Sequence, residues 1–177
     1  MQVDNLRTIL SAVRLLREQG VAIPEETLRK GFREVTRMTG LRGRWETLSE
    51  HPTLICDTAH NEDGIRYVVR QLVALGRPLH LIFGMVSDKD VRGVLALLPQ
   101  SAKYYFTAAS VPRALAPEEL RELAQAYDLQ GEVYPSIREA LTAAQSAAQP
   151  ETDVIFVGGS NFLIADLLAI LSTNNDK

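Results

Sequence analysis

Four short apolar runs constrain this chain more than any other feature: TLICDT (53–58), LHLIFGM (79–85), KYYFTAA (103–109) and DVIFVGG (153–159). Segments with helical spacing stand between and after them, at 62–75, 90–98, 116–128, 136–148 and 161–171. Two weaker strands are expected at 44–50 and 132–135. Continuous apolar strands that alternate with helices are parallel strands covered on both faces. The chain therefore reads as α/β: a three-layer Rossmann-like domain with a mostly parallel sheet, from about residue 42 to the end. Ser136 is placed to cap the helix that starts there.

Two helices precede this domain. Residues 3–19 carry Val3, Leu6, Leu10, Val13 and Leu16 on a helical spacing, and Gly20 stops them. Residues 24–38 repeat the pattern with Leu28, Phe32, Val35 and Met38; Pro24 and two glutamates suit a helix start. TGLRGRW (39–45) then breaks the period with two glycines and reads as a linker. The expected division is 1–41, a helical appendage, and 42–177, the α/β domain.

Bulk properties exclude several classes. A net charge of −3 gives no general attraction to nucleic acid or acidic membranes. One cysteine, Cys56, excludes an intrachain disulfide and a multi-thiolate metal site, and it fits a reducing cytoplasm. No apolar run approaches the roughly 20 residues of a membrane span. MQVDNLRTIL does not have the build of a signal peptide.

Open α/β sheets bind ligands beyond the C-terminal ends of their strands. Here those ends are residues 57–61, 84–89, 107–110 and 158–161, all polar or glycine-rich. Asp57, His60 and Asn61 form a candidate ligand-contacting turn; the plainer account is turn chemistry, with Asp57 capping the next helix. Lys89 is a candidate partner for a substrate carboxylate, or a solvated charge behind a Ser87 or Asp88 cap. Gly158, Gly159 and Ser160 open a helix whose N–H groups suit an anion, or simply allow a tight turn. Arg42 and Arg44 can clamp a phosphate from the linker, or lie on the surface. Asn5 sits inside the first helix, where asparagine is mildly unfavourable. The chain has no Gly-x-Gly-x-x-Gly, no Gly-x-x-x-x-Gly-Lys-Ser/Thr loop, no Gly-x-Ser-x-Gly elbow and no metal-ligand spacing. His51 and His80 read as structural.

Several stretches together resemble the C-terminal region of the folylpolyglutamate synthase/dihydrofolate synthase family, within the Mur ligase superfamily. They are Asn5 in QVDNLRTILSAVRLL, GRW at 43–45, DTAHN at 57–61, FGMVSDKD at 83–90, PRAL at 112–115 and VGGSNFLIADLL at 157–168. Asp57 follows Arg44 by thirteen positions. The family's version of the first turn has Gly after its Asp and Pro after its Asn; here stand Thr58 and Glu62.

The resemblance implies an ATP-dependent amide ligase. The family phosphorylates a carboxylate of folate or dihydropteroate, and the amine of glutamate attacks the acyl phosphate. Its phosphate loop and Mg²⁺ ligands belong to parts not matched here, so this segment alone is expected to be inactive and to hold no metal. Residues 1–41 then correspond to the tail of the central domain, and 42–177 to the C-terminal domain. By resemblance, Asn5 stands beside adenine, Arg44 reaches the ATP phosphates, and Asp57 meets the ribose. His60 and Lys89 are the implied catalytic pair, and Lys89 and Ser160 the implied glutamate contacts. Expected partners are ATP, glutamate and folate or dihydropteroate, with no nucleic acid and no membrane, in a cytoplasmic monomer. Two alternatives are a Mur-type ligase for a peptidoglycan precursor and a phosphoacceptor receiver-like module built on Asp57.

Overall fold

The computed structural model describes residues 3–175. It divides into two compact units, Met1–Arg42 and Gly43–Lys177. The first is a helix pair, α1 (Val3–Glu18) and α2 (Glu25–Thr39). Gly20 ends α1 at φ 89°, where the Val21 N–H donates to the Leu16 carbonyl at 3.0 Å. Gly40 ends α2 at φ 67° and donates to Thr36. Both stops need the left-handed region that glycine enters freely. No residue of α2 is buried, and Ile9, Leu10, Leu15, Leu16, Val35 and Met38 are exposed. Two helices alone have too little facing surface to bury such residues.

The second unit is built on six strands: β1 (Glu46–Glu50), β2 (Thr53–Cys56), β3 (Leu79–Phe83), β4 (Lys103–Phe106), β5 (Gly131–Val133) and β6 (Val154–Gly158). Their order in the sheet is β1-β2-β6-β3-β4-β5. β1 is antiparallel to β2, and every other pairing is parallel. The chain steps outward from β2 through β5, then returns to insert β6 between β2 and β3.

Strand periodicity splits the core in two. Ile55, Leu81, Phe83, Tyr104, Phe106 and Phe156 pack with α3 (Glu62–Ala74), α4 (Val91–Leu95) and α5 (Pro117–Gln125). Leu54, Cys56, Ile82, Tyr105, Ile155 and Val157 pack with α6 (Ile137–Ala147) and α7 (Asn161–Asn175). Successive residues thus serve opposite layers, which is why apolar side chains run on without alternation in these strands. Each such side chain contributes about 1.5–3 kcal/mol by leaving water.

The elements follow the expected order, with shorter ends. α4 stops at Leu95 rather than at 98, because the Leu97 and Leu98 N–H groups donate three residues back and Pro99 follows. The strands end at Cys56, Phe83 and Phe106, and the residues beyond them form the rim. Among the described residues no helix is long and apolar enough to cross a membrane.

His80 has a structural place at the opposite end of the sheet. Its buried ring meets the Tyr105 hydroxyl at 2.8 Å and the Asp153 carboxylate at 3.1 Å. The Asp153 carboxylate only accepts, so Nε2 donates to it, while the Tyr105 hydroxyl stands at Nδ1; burial, reinforced by Tyr134, pushes that phenol up to about 12.

Candidate functional site

The site is built where β2 leaves the sheet. The Asp57 carboxylate is buried, and both its oxygens are engaged. Oδ1 accepts from the Ala59 N–H at 2.8 Å, and Oδ2 from the Trp45 N–H at 2.7 Å. The Thr58 N–H donates to the Gly43 carbonyl at 2.9 Å. The end of the linker is therefore fastened to the turn on both sides of Arg44. Gly43 has φ 73° and Trp45 has φ 46°, so the backbone passes through the left-handed region twice in three residues. A Cβ on Gly43 would sit 2.8 Å from Ile164 Cγ2 and 3.0 Å from Thr58 Cγ2. The Gly43 N–H donates to Glu46 Oε2 at 2.7 Å. Arg44 itself is exposed. Its backbone is fixed and its guanidinium extends from a rigid base.

Asn61, not Asp57, caps α3: its side chain accepts from the Gly64 N–H at 2.9 Å. The capping role expected of Asp57 fails because its oxygens are turned toward Trp45 and Ala59. Both oxygens are thus committed to backbone N–H groups, an arrangement that gives the receiver-like alternative no support.

His60 follows in the same turn, half-buried, with Nδ1 at 2.9 Å from the Thr58 carbonyl. A carbonyl only accepts, so Nδ1 carries a proton, and in the neutral ring Nε2 is then the acceptor. His60, Asn61, Glu62, Asp63, Lys89 and Asp90 line a recess of about 370 Å³. The structure therefore brings His60 and Lys89 to one place. α4 is capped by Asp90, which accepts from the Gly93 N–H at 2.9 Å, rather than by Ser87 or Asp88. Lys89 is exposed just ahead of that cap.

Ser160 ends the next rim segment. It is buried, and its Oγ accepts from the Phe162 N–H at 3.2 Å at the start of α7. Gly159 has φ 96°, and a Cβ there would meet the Gly84 carbonyl oxygen at 2.6 Å. Gly159 thus serves the close backbone approach between the ends of β6 and β3, while a Cβ on Gly158 would run into the Phe156 ring. Ser160 does not line the recess that His60 and Lys89 share. Asn5 is exposed in α1, within the other unit.

Sequence reasoning missed Trp45, whose N–H is the group Asp57 holds; the signal was the glycine-flanked break directly before it. Two buried hydroxyls at the rim, Thr58 Oγ1 and Thr107 Oγ1, have no hydrogen-bond partner among the described protein groups. Among the described residues, no group of three or more His, Cys, Asp or Glu side chains could hold a metal ion.

Residues 43–161 match the family described as Mur ligase, glutamate ligase domain. The dihydrofolate synthase/folylpolyglutamate synthase of Escherichia coli is 32% identical over 171 residues, which are 94% of this chain and 37% of that protein. A structure of E. coli FolC in complex with DHPP and ADP superposes with a TM-score of 0.78 at 28% identity, covering 93% of this chain and 38% of that one. A bifunctional folylpolyglutamate synthase/dihydrofolate synthase with Mn, AMPPNP and L-glutamate bound gives 0.76 at 29% identity, over 91% of this chain and 38% of that one. The chain thus spans a little over a third of the length of these relatives, and through residues 43–161 it belongs to the Mur ligase family, as its glutamate ligase domain.

Proposed function

We propose that this chain is the C-terminal part of an ATP-dependent ligase that joins glutamate to folate or dihydropteroate, with residues 1–41 as the tail of its central domain. One observation carries the reading: the clasp of Gly43, Trp45, Thr58 and Asp57 holds the Arg44 backbone rigid while its side chain stands exposed. A fixed cation at a strand end suits a phosphoryl group better than a mobile one does. The exposed apolar residues of α1 and α2 fit helices that complete their core against a part beyond this chain.

ATP, when bound, supplies the phosphoryl group that activates the acceptor carboxylate. Arg44 offers guanidinium N–H groups to its phosphates. A carboxylate has about four acceptor positions, and Asp57 uses two, so it can also receive ribose hydroxyls. Asn5 contributes beside adenine. Lys89 pairs with a carboxylate of glutamate, and His60 Nε2 accepts from the incoming amine in the recess they share. The Ser160 hydroxyl still has its proton to donate to the other carboxylate of glutamate. Any Mg²⁺ takes its ligands from residues other than those described here.

Replacing the matching segment of the E. coli relative by this chain tests the assignment. Glutamate-dependent ADP release with a folate acceptor is the expected result, and none from this chain alone. Activity confined to a peptidoglycan precursor refutes the folate reading. Ligase activity of the isolated chain refutes the division of labour.

A further inference from the structure

Arg113, in PRAL (112–115), has no role in the reading above. Its guanidinium carbon lies 4.7 Å from the centre of the Phe162 ring, and its Nη1 lies 3.2 Å from Asp88 Oδ2. The Phe162 N–H donates to Ser160 Oγ. Asp88 directly precedes Lys89. One side chain thus touches close neighbours of both residues assigned to glutamate.

Backbone bonds make the same connection. The Ser87 N–H and hydroxyl both donate to the Arg113 carbonyl, at 3.0 and 3.3 Å. The Leu115 N–H donates to the Met85 carbonyl at 2.9 Å, and Val86 and Ala114 form an isolated antiparallel bridge. Farther back, the Ser110 N–H donates to Asp166 Oδ2 of α7 at 2.7 Å. The segment after β4 is fastened to the loop that carries Lys89 and to the helix that follows Ser160.

The chemistry suits arginine. A planar guanidinium can stack by its face while its edge donates to a carboxylate, whereas a lysine ammonium is a point charge without a face. We propose that Arg113 is a positioning residue of the amino-acid subsite, setting the spacing of Lys89 and Ser160 by holding Asp88 with its edge and Phe162 with its face. The inference rests on the reading of Lys89 and Ser160 as glutamate contacts. The two carboxylates of a dicarboxylic amino acid stand a limited distance apart, so an error in that spacing weakens glutamate binding first. Asp57, on the nucleotide side, is bonded to Trp45 and Ala59, while the Arg113 side chain is engaged by Asp88 and Phe162.

The test uses the complete ligase polypeptide carrying this chain, with glutamate and then ATP varied against saturating co-substrates. Arg113→Ala is expected to raise the KM for L-glutamate about tenfold. The KM for ATP should stay within about twofold. Arg113→Lys, which keeps the charge opposite Asp88, is expected to fall between. Lys89→Ala runs alongside. A raised glutamate KM in Lys89→Ala but not in Arg113→Ala overturns the positioning role alone. No change in Lys89→Ala overturns the subsite reading and this inference with it. A parallel rise of both KM values in Arg113→Ala marks a general structural role and also overturns it.

Discussion

Asp57→Asn isolates what holds the site together. The carboxylate accepts from two backbone N–H groups, Trp45 at 2.7 Å and Ala59 at 2.8 Å, in a buried position. An asparagine of the same shape brings one acceptor oxygen and one NH₂. Whichever way the amide turns, one N–H loses its acceptor and faces another donor. Hydrogen bonds to charged groups are worth about 1.5–3 kcal/mol, and a buried donor left unsatisfied costs a similar amount. The expected loss is about 2–3 kcal/mol, since the turn can relax toward water. In urea this lowers the unfolding midpoint of the α/β unit by about 1 M. Trp45 is the chain's one tryptophan, so its fluorescence reports the unit directly. Arg44→Ala is the control: its side chain is exposed, so the stability should stay within about 0.5 kcal/mol of the parent. A midpoint for Asp57→Asn indistinguishable from that of Arg44→Ala refutes the clasp, and with it the argument that Arg44 is held rigid.

Three further outcomes are expected. Gly43→Ala forces a β-carbon to 2.8 Å from Ile164 at φ 73°, and should cost about 1–3 kcal/mol in chemical denaturation. Asn61→Ala removes the α3 cap and should cost about 1 kcal/mol in the same assay. Asp153 accepts from the Gln149 N–H, the Thr152 hydroxyl and His80, and these bonds hold its carboxyl below the ordinary value of 3.8. Its contribution is therefore complete above 3.8 and is lost as pH falls below that value through the lowered native one. Asp153→Asn should flatten the acid limb of a stability–pH curve; an unchanged limb would contradict the assignment.

Much of the fold was legible because the two-faced burial of β2, β3, β4 and β6 leaves those strands apolar or aromatic beyond Thr53, His80 and Lys103 at their starts. The caps were less so. Asp57, Asn61, Ser87, Asp88 and Asp90 can all cap in principle, and only the backbone path selects Asn61 and Asp90. The neighbourhood of Arg44 and Asp57 was invisible to periodicity, yet the hairpin explains it. β1 and β2 pair Glu46 with Cys56 and Thr47 with Ile55, so one more step brings Trp45 opposite Asp57. Beyond Thr47 the register shifts, with Leu48 the extra residue before Ser49 meets Leu54. The thirteen-residue step from Arg44 to Asp57 is thus the length of a bulged hairpin, not a motif in its own right. A strand's side chains reverse face with every single-residue slip. A one-residue change in this hairpin must therefore be absorbed at the bulge or the turn, or Trp45 no longer meets Asp57 and Arg44 loses its fixed base.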